Sequence, residues 1–189
     1  MEKPAKKYYT PEEYLAVEEA AEFRSEYYKG EIFAMSGATV NHNTIVLNVG
    51  ANLLSVREKQ CNVYVTDLKV RIETADMFTY PDVLIICGDL EFYNNRKDII
   101  LNPVAIIEVL SESTEGYDRG KKFECYRAIP TLREYILIDQ FKVHIEQYCI
   151  NPAGKWELTE YREKAEYLAL CSVDSRISLE TIYERVTFE

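Results

Sequence analysis

Two apolar runs, each carrying a single acid, constrain this chain more than any other feature. One reads Tyr80-Pro81-Asp82-Val83-Leu84-Ile85-Ile86-Cys87, the other Val104-Ala105-Ile106-Ile107-Glu108-Val109-Leu110-Ser111. Short continuous runs of branched residues read as buried strands. An unpaired carboxylate among Ile and Val is expensive to bury. Two such acids on neighbouring strands point to a shared cation, and a hard divalent metal with oxygen ligands fits best. If the strands pair antiparallel, the start of one meets the end of the other at a spacing of about 4.8 Å, close enough for Asp82 and Glu108 to hold one ion. On this reading the chain is a candidate metal-dependent hydrolase.

The segment after Glu108 supplies a third group. Asp118, Lys122 and Tyr126 recur every four residues and share one helical face. That face can lean over the strand end and bring the Lys122 ammonium to the two acids. There it would orient or activate water, or offset charge on a phosphate. Lys121 points about 100° away around the helix, which favours Lys122. Upstream, Glu26 and His42 each offer a further ligand or proton-transfer group, histidine titrating in the useful range.

Each of these residues also has a plainer reading. Asp82 after a proline is an ordinary turn residue at a strand start. Glu108 and Lys122 make an equally good buried structural ion pair. Glu26 reads as a solvated strand acid, His42 as a helix-start residue bonded to backbone, and Tyr126 as packing or a hydrogen bond. For Asp118 the helix N-cap is the preferred role.

Along the chain, Thr10-Pro11-Glu12-Glu13 opens a helix with a capping box and runs to about Ala21. Extended segments over 22–29 and 31–36 flank a turn at Gly30. Apolar residues at Ile45, Val49, Leu53 and Val56 predict one long helix over 41–59. Strands are expected at 62–66, 69–73, 80–87 and up to Leu110. A helix then runs over 118–128 until Pro130 stops it. Strands at 134–139, 143–149 and 156–161 follow, with a short strand near Tyr167 and a helical segment over 178–185. No repeat or linker divides the chain, and residues 1–189 read as a single domain. The class is mixed α/β, helices flanking a central sheet.

Composition narrows the function. The net charge of −10 is awkward for a protein that touches phosphates, which need local Lys and Arg. A metal site would absorb part of that acid. Fifteen tyrosines suit strands and interfaces, with some free to stack on bases. Five cysteines without a C-x-x-C pair argue against zinc or a disulfide framework and read as small buried hydrophobes in a reducing compartment. No apolar run approaches the roughly 20 residues of a membrane span. The basic N-terminus lacks the apolar stretch of a secretory signal, so a cytoplasmic location is expected.

Taken together, Glu26-x-x-x-Gly30-Glu31, Met35-Ser36-Gly37, His42, Pro81-Asp82-Val83, Glu108-Val109-Leu110-Ser111, Asp118-x-x-x-Lys122 and Tyr126 closely resemble the Uma-type endonuclease family. That family, long a domain of unknown function, belongs to the PD-(D/E)XK restriction-endonuclease-like superfamily. The resemblance extends from about residue 10 to 160. It implies a restriction-endonuclease-like fold, a Mg²⁺ cofactor for which Mn²⁺ can substitute, DNA as substrate, and a homodimer. It assigns Asp82 and Glu108 as metal ligands, Glu26 as the additional upstream acid, and Lys122 as the catalytic lysine. The superfamily's lysine normally stands two positions after the glutamate, where this chain has Leu110, so Lys122 would be a relocated replacement. The rival reading is a nuclease-fold binding or assembly module without turnover, favoured by Leu110 and the acidic charge. Hydrolysis of RNA or another phosphoester would use the same residues.

Overall fold

The computed structural model describes residues 7–35 and 37–188. Thr10 starts helix α1 (Pro11–Ala20) through the expected capping box, its side chain accepting from the Glu13 amide while Glu13 reaches back to the Thr10 amide. Strands β1 (Ser25–Tyr28) and β2 (Glu31–Ala34) form a hairpin around Lys29 and Gly30. Gly30 adopts φ +88°, a left-handed conformation that favours glycine, and a Cβ there would meet the Tyr8 ring at 2.8 Å. Of the segment expected over 31–36, Ser36 lies outside the described residues.

The long helix divides. Helix α2 (Val40–Asn52) is capped by the Thr39 hydroxyl and gives way at Leu53 to a 3₁₀ segment, Leu54–Lys59. Strands β3 (Cys61–Val65), β4 (Lys69–Ile72), β5 (Met77–Thr79), β6 (Val83–Cys87), β7 (Ile99–Ile100) and β8 (Ala105–Leu110) follow. The expected strand over 80–87 begins only at Val83, because Tyr80-Pro81-Asp82 carries the chain from one sheet to another. After β8 come α3 (Glu115–Tyr117), a π-helical turn (Asp118–Lys122) and α4 (Phe123–Tyr126). The remainder holds β9 (Glu134–Asp139), β10 (Ile145–Ile150), β11 (Trp156–Tyr161), the β12 (Tyr167–Leu170) and β13 (Ser175–Ser178) hairpin, and α5 (Leu179–Ile182).

The larger sheet has the order β11-β10-β9-β8-β6-β3, and the smaller β2-β1-β5-β4-β7. Within the larger sheet β8 runs parallel to β9 and antiparallel to β6, so the sheet is mixed. Alternation along β8 decides what each face meets. Ala105, Ile107 and Val109 join Ile45, Val49 and Leu53 of the α2 region in one apolar core. Ile106 and Leu110 turn to the opposite face and pack with Phe123, Tyr126 and Tyr135. A third cluster seats α1 on the hairpin through Tyr14, Tyr27 and Phe78. Among the described residues, no helix is long and apolar enough to cross a membrane.

The cysteines correct the sequence reading. Cys61 is bonded to Cys87 and Cys149 to Cys171, while Cys125 remains a buried free thiol. Cys61 and Cys87 end up directly opposite each other on β3 and β6. Separations of 26 and 22 residues carry no local signal: sheet register joins Cys61 to Cys87, and the chain leaving β12 brings Cys171 to Cys149 on β10.

Candidate active site

The register of β6 and β8 sets the two opening acids side by side. Val83 pairs with Ile107, so continuing the ladder puts Asp82 opposite Glu108. Directly opposite residues of an antiparallel pair share a face. Here that face belongs to Ile106, Leu110 and the helical segment. Asp82 Oδ2 accepts from the Val109 amide at 2.8 Å and faces His42 Nε2 at 3.2 Å. His42 stands in the first turn of α2, and its Nδ1 is buried with no hydrogen-bond partner.

Lys122 closes the arrangement from above. Its Nζ lies 2.9 Å from Glu108 Oε1, 3.1 Å from Glu26 Oε1 and 3.6 Å from Asp118 Oδ1. All four side chains are buried. Tyr126 donates its hydroxyl to Glu108 Oε1 at 2.7 Å, and Thr79 donates to Glu26 Oε1. Glu26 reaches the cluster from β1, so three acids from separate parts of the chain converge on one ammonium.

Electrostatics follow from that imbalance. Burial pushes the Glu108 carboxyl up to about 8, against the pull of Lys122 and with a further push from Asp82 and Asp118. Burial also raises Asp118, opposed by Lys122. For Lys122, burial pulls downward, but Glu108, Glu26, Tyr126 and Asp118 outweigh it and hold the ammonium well above its ordinary value. One fixed cation among several carboxylates favours retaining a proton on an acid. Glu108 is the acid placed to hold it.

Every hydrogen bond or ion pair described for these carboxylates uses one oxygen. Glu26 and Glu108 engage Oε1, and Asp82 engages Oδ2. The opposite oxygens carry no such contact among the described residues. This is an all-oxygen donor set with one spare oxygen per acid, which fits a hard divalent cation. The three do not yet enclose a point: among the described residues, the one trio of ligand atoms within 4.8 Å of one another is Glu134, Cys149 and Cys171. The last two are joined in a disulfide, which removes their thiolates as ligands.

The site opens into a cleft of about 590 Å³, lined at its floor by Asp82, Glu108 and Lys122 and at its rim by Arg24, Phe33 and Tyr117. Comparison with known proteins shows the family and the fold. A family model described as Uma2, "Putative restriction endonuclease", matches residues 11–180. The chain belongs to the Uma2 family. Its relatives include the Synechocystis protein sll1609, 40% identical over 152 residues that make up 80% of this chain and 86% of that one. A second Synechocystis protein, slr1290, is 33% identical over 180 residues, covering 95% and 93% of the two chains. The fold is similar to the crystal structure of an Anabaena variabilis protein described as "a putative nuclease belonging to DUF820". That likeness has a TM-score of 0.77 at 19% identity, over 95% of this chain and 99% of the other.

For this Uma2 chain the structure brings Glu26, Glu108, Asp118, Lys122 and Tyr126 into one connected cluster, with Asp82 and His42 joined at its edge. Asp118 departs from the expected N-cap role. It lies inside the helical segment, at the start of the π-helical turn, where its carboxylate faces Lys122. Leu110 is buried beneath the same segment with Phe123 and Tyr126. The strand position thus packs the helix while the helix returns a lysine to the strand. Sequence reasoning missed Thr79, whose hydroxyl is held between Glu26 Oε1 and the Tyr126 hydroxyl at 3.3 Å from the latter. Its only signal was its place just before Tyr80-Pro81-Asp82. Gln140 was missed too, although it donates to the Leu110 carbonyl at 2.6 Å and tethers the end of β8.

Proposed function

We propose that this cleft hydrolyses phosphodiester bonds in DNA with the help of Mg²⁺, Mn²⁺ serving as a substitute. The observation that carries the reading is the placement of Lys122 Nζ, 2.9 Å from Glu108 and on the carboxylate-lined floor of an open cleft. Asp82, Glu108 and Glu26 would hold the ion through their spare oxygens. A divalent cation bound there supplies Lewis acidity and a more acidic water at neutral pH.

The protein's own groups prepare the rest. The Val109 amide and His42 fix the Asp82 carboxylate against rotation. Tyr126 does the same for Glu108, and burial keeps its phenol protonated as a donor. Lys122 is charged and held in place by the acids around it, so its field would offset charge developing on a nearby scissile phosphate, and such preorganised charge is worth most where water is excluded. The lysine in this role comes from the helical segment because Leu110 occupies the strand position.

The test is metal-dependent nicking of DNA by the wild-type protein, Glu108→Ala and Lys122→Ala, with folding of both variants checked by circular dichroism. Activity confined to the wild type is expected. Equal residual cleavage by both variants would assign the activity to a contaminant or another site. A second reading, a nuclease-fold binding module without turnover, is favoured by the ammonium sitting among the acids where an ion would be shared. Persistent DNA binding with no metal-dependent nicking would select it.

A further inference from the structure

The hairpin that delivers Glu26 also shapes what enters the cleft. In the β1–β2 register Glu26 faces Phe33 and Tyr28 faces Glu31. Cross-strand partners share a face, so Glu26, Tyr28 and Phe33 project together, and all three line the cleft. Phe33 is 47% exposed and Met35, just beyond it, 40% exposed. Phe33 and Met35 together give the cleft mouth an open apolar surface that a flat ring could cover.

Charge in the cleft limits what that something is. Its walls carry Glu26, Asp67, Asp82, Glu108 and Asp118 against two fixed cations, Arg24 and Lys122. Arg24 is paired with Asp67 at 3.4 Å and Lys122 is committed to Glu108 and Glu26. Two further lysines lie just outside the cleft lining, beside Tyr28: Lys29 and Lys121 each place Nζ 5.4 Å from the Tyr28 ring centre, Lys121 also pairing with Glu124 at 3.1 Å. A duplex brings two phosphate backbones and depends on several neutralising contacts. Such contacts are scarce here, whereas single strands gain much of their affinity by stacking bases on aromatic rings.

We propose that the strand taken by this cleft is unpaired, with a base stacked on Phe33 beside Glu26 and its backbone passing Lys29 and Lys121. The inference rests on the nuclease reading and specifies its substrate as single-stranded or locally unpaired nucleic acid. Two phosphate contacts predict a shallow salt dependence, a log–log slope of about −1.4 for a single strand.

The experiment measures fluorescence anisotropy of labelled oligo(dT), oligo(U) and a duplex of equal length, about 20 nucleotides each, with wild-type protein, Phe33→Ala and Phe33→Trp. Phe33 is exposed, so neither change threatens the fold. Binding of a single strand about tenfold tighter than duplex, weakened about tenfold by Phe33→Ala and retained by Phe33→Trp, is the expected result. The two oligonucleotides tell whether the unpaired strand is DNA or RNA. Duplex binding as tight as either single strand, or indifference to Phe33→Ala, overturns the proposal. Parallel incubation with Mg²⁺ separates it from the parent reading. Equal cleavage of duplex and single strand sinks this inference and leaves the nuclease. Phe33-dependent binding with no cleavage sinks the nuclease and leaves the stacking site.

Discussion

The two faces of strand β8 bury almost equally well and do opposite things. Toward α2 it presents Ala105, Ile107 and Val109 to a core without charge. Toward the helical segment it presents Ile106, Glu108 and Leu110, and Glu108, although only 4% exposed, belongs to a four-membered charged cluster. Folding needs the first face. The second carries a desolvation cost that a well-packed apolar cluster would avoid. That contrast within six residues is what the chemistry proposed for Glu108 would explain.

Lys122→Met should separate the faces most sharply. It strands Glu26, Glu108 and Asp118 without a counterion, at an expected cost of about 3–5 kcal/mol near pH 8 in urea unfolding. The loss should shrink as pH falls below about 8, where Glu108 takes up its proton. Ile107→Ala on the apolar face should cost about 2–5 kcal/mol with no such pH dependence. Matching pH profiles for the two variants would erase the distinction between the faces.

The wild-type protein should carry its own pH signature. Because burial raises the Glu108 carboxyl to about 8 in the folded chain, above the ordinary 4.5 of an unfolded one, the native state binds the proton more tightly. Its contribution is fully present below the unfolded value and is lost as pH rises through the folded one. Stability should therefore fall between about pH 4.5 and 8 through this group, and Glu108→Gln should flatten that part of the profile. Tyr126→Phe is the gentlest probe. It deletes one donor to Glu108 while leaving the ring in place, and a loss of about 1–3 kcal/mol is expected. No loss would mean that the hydroxyl does not hold Glu108.

Much of this division was legible before any coordinates. The apolar runs around Asp82 and Glu108 placed both strands, and four-residue spacing placed Lys122 and Tyr126 over them. Thr10-Pro11-Glu12-Glu13 announced its capping box, and Gly30 its turn. What escaped depended on tertiary register. The helical segment begins at Glu115, three residues before Asp118, so Asp118 faces Lys122 from inside the segment when local chemistry favoured an N-cap. Thr79 matters only because β5 abuts β1, a pairing that three residues cannot advertise. The break of α2 at Leu53 hides within continuous helical periodicity, and the Cys61–Cys87 bond forms across strands whose pairing no local pattern announces.

The central claim is that the spare oxygens of Asp82, Glu108 and Glu26 take a divalent cation, which must then displace the proton held by Glu108. Isothermal titration of Mn²⁺ into the protein at pH 7, repeated in buffers of different ionisation enthalpy, tests this directly. The account predicts saturable binding with proton release, abolished in Asp82→Asn and with the release lost in Glu108→Gln. Absence of binding at millimolar metal, or binding unchanged in Asp82→Asn, would contradict it.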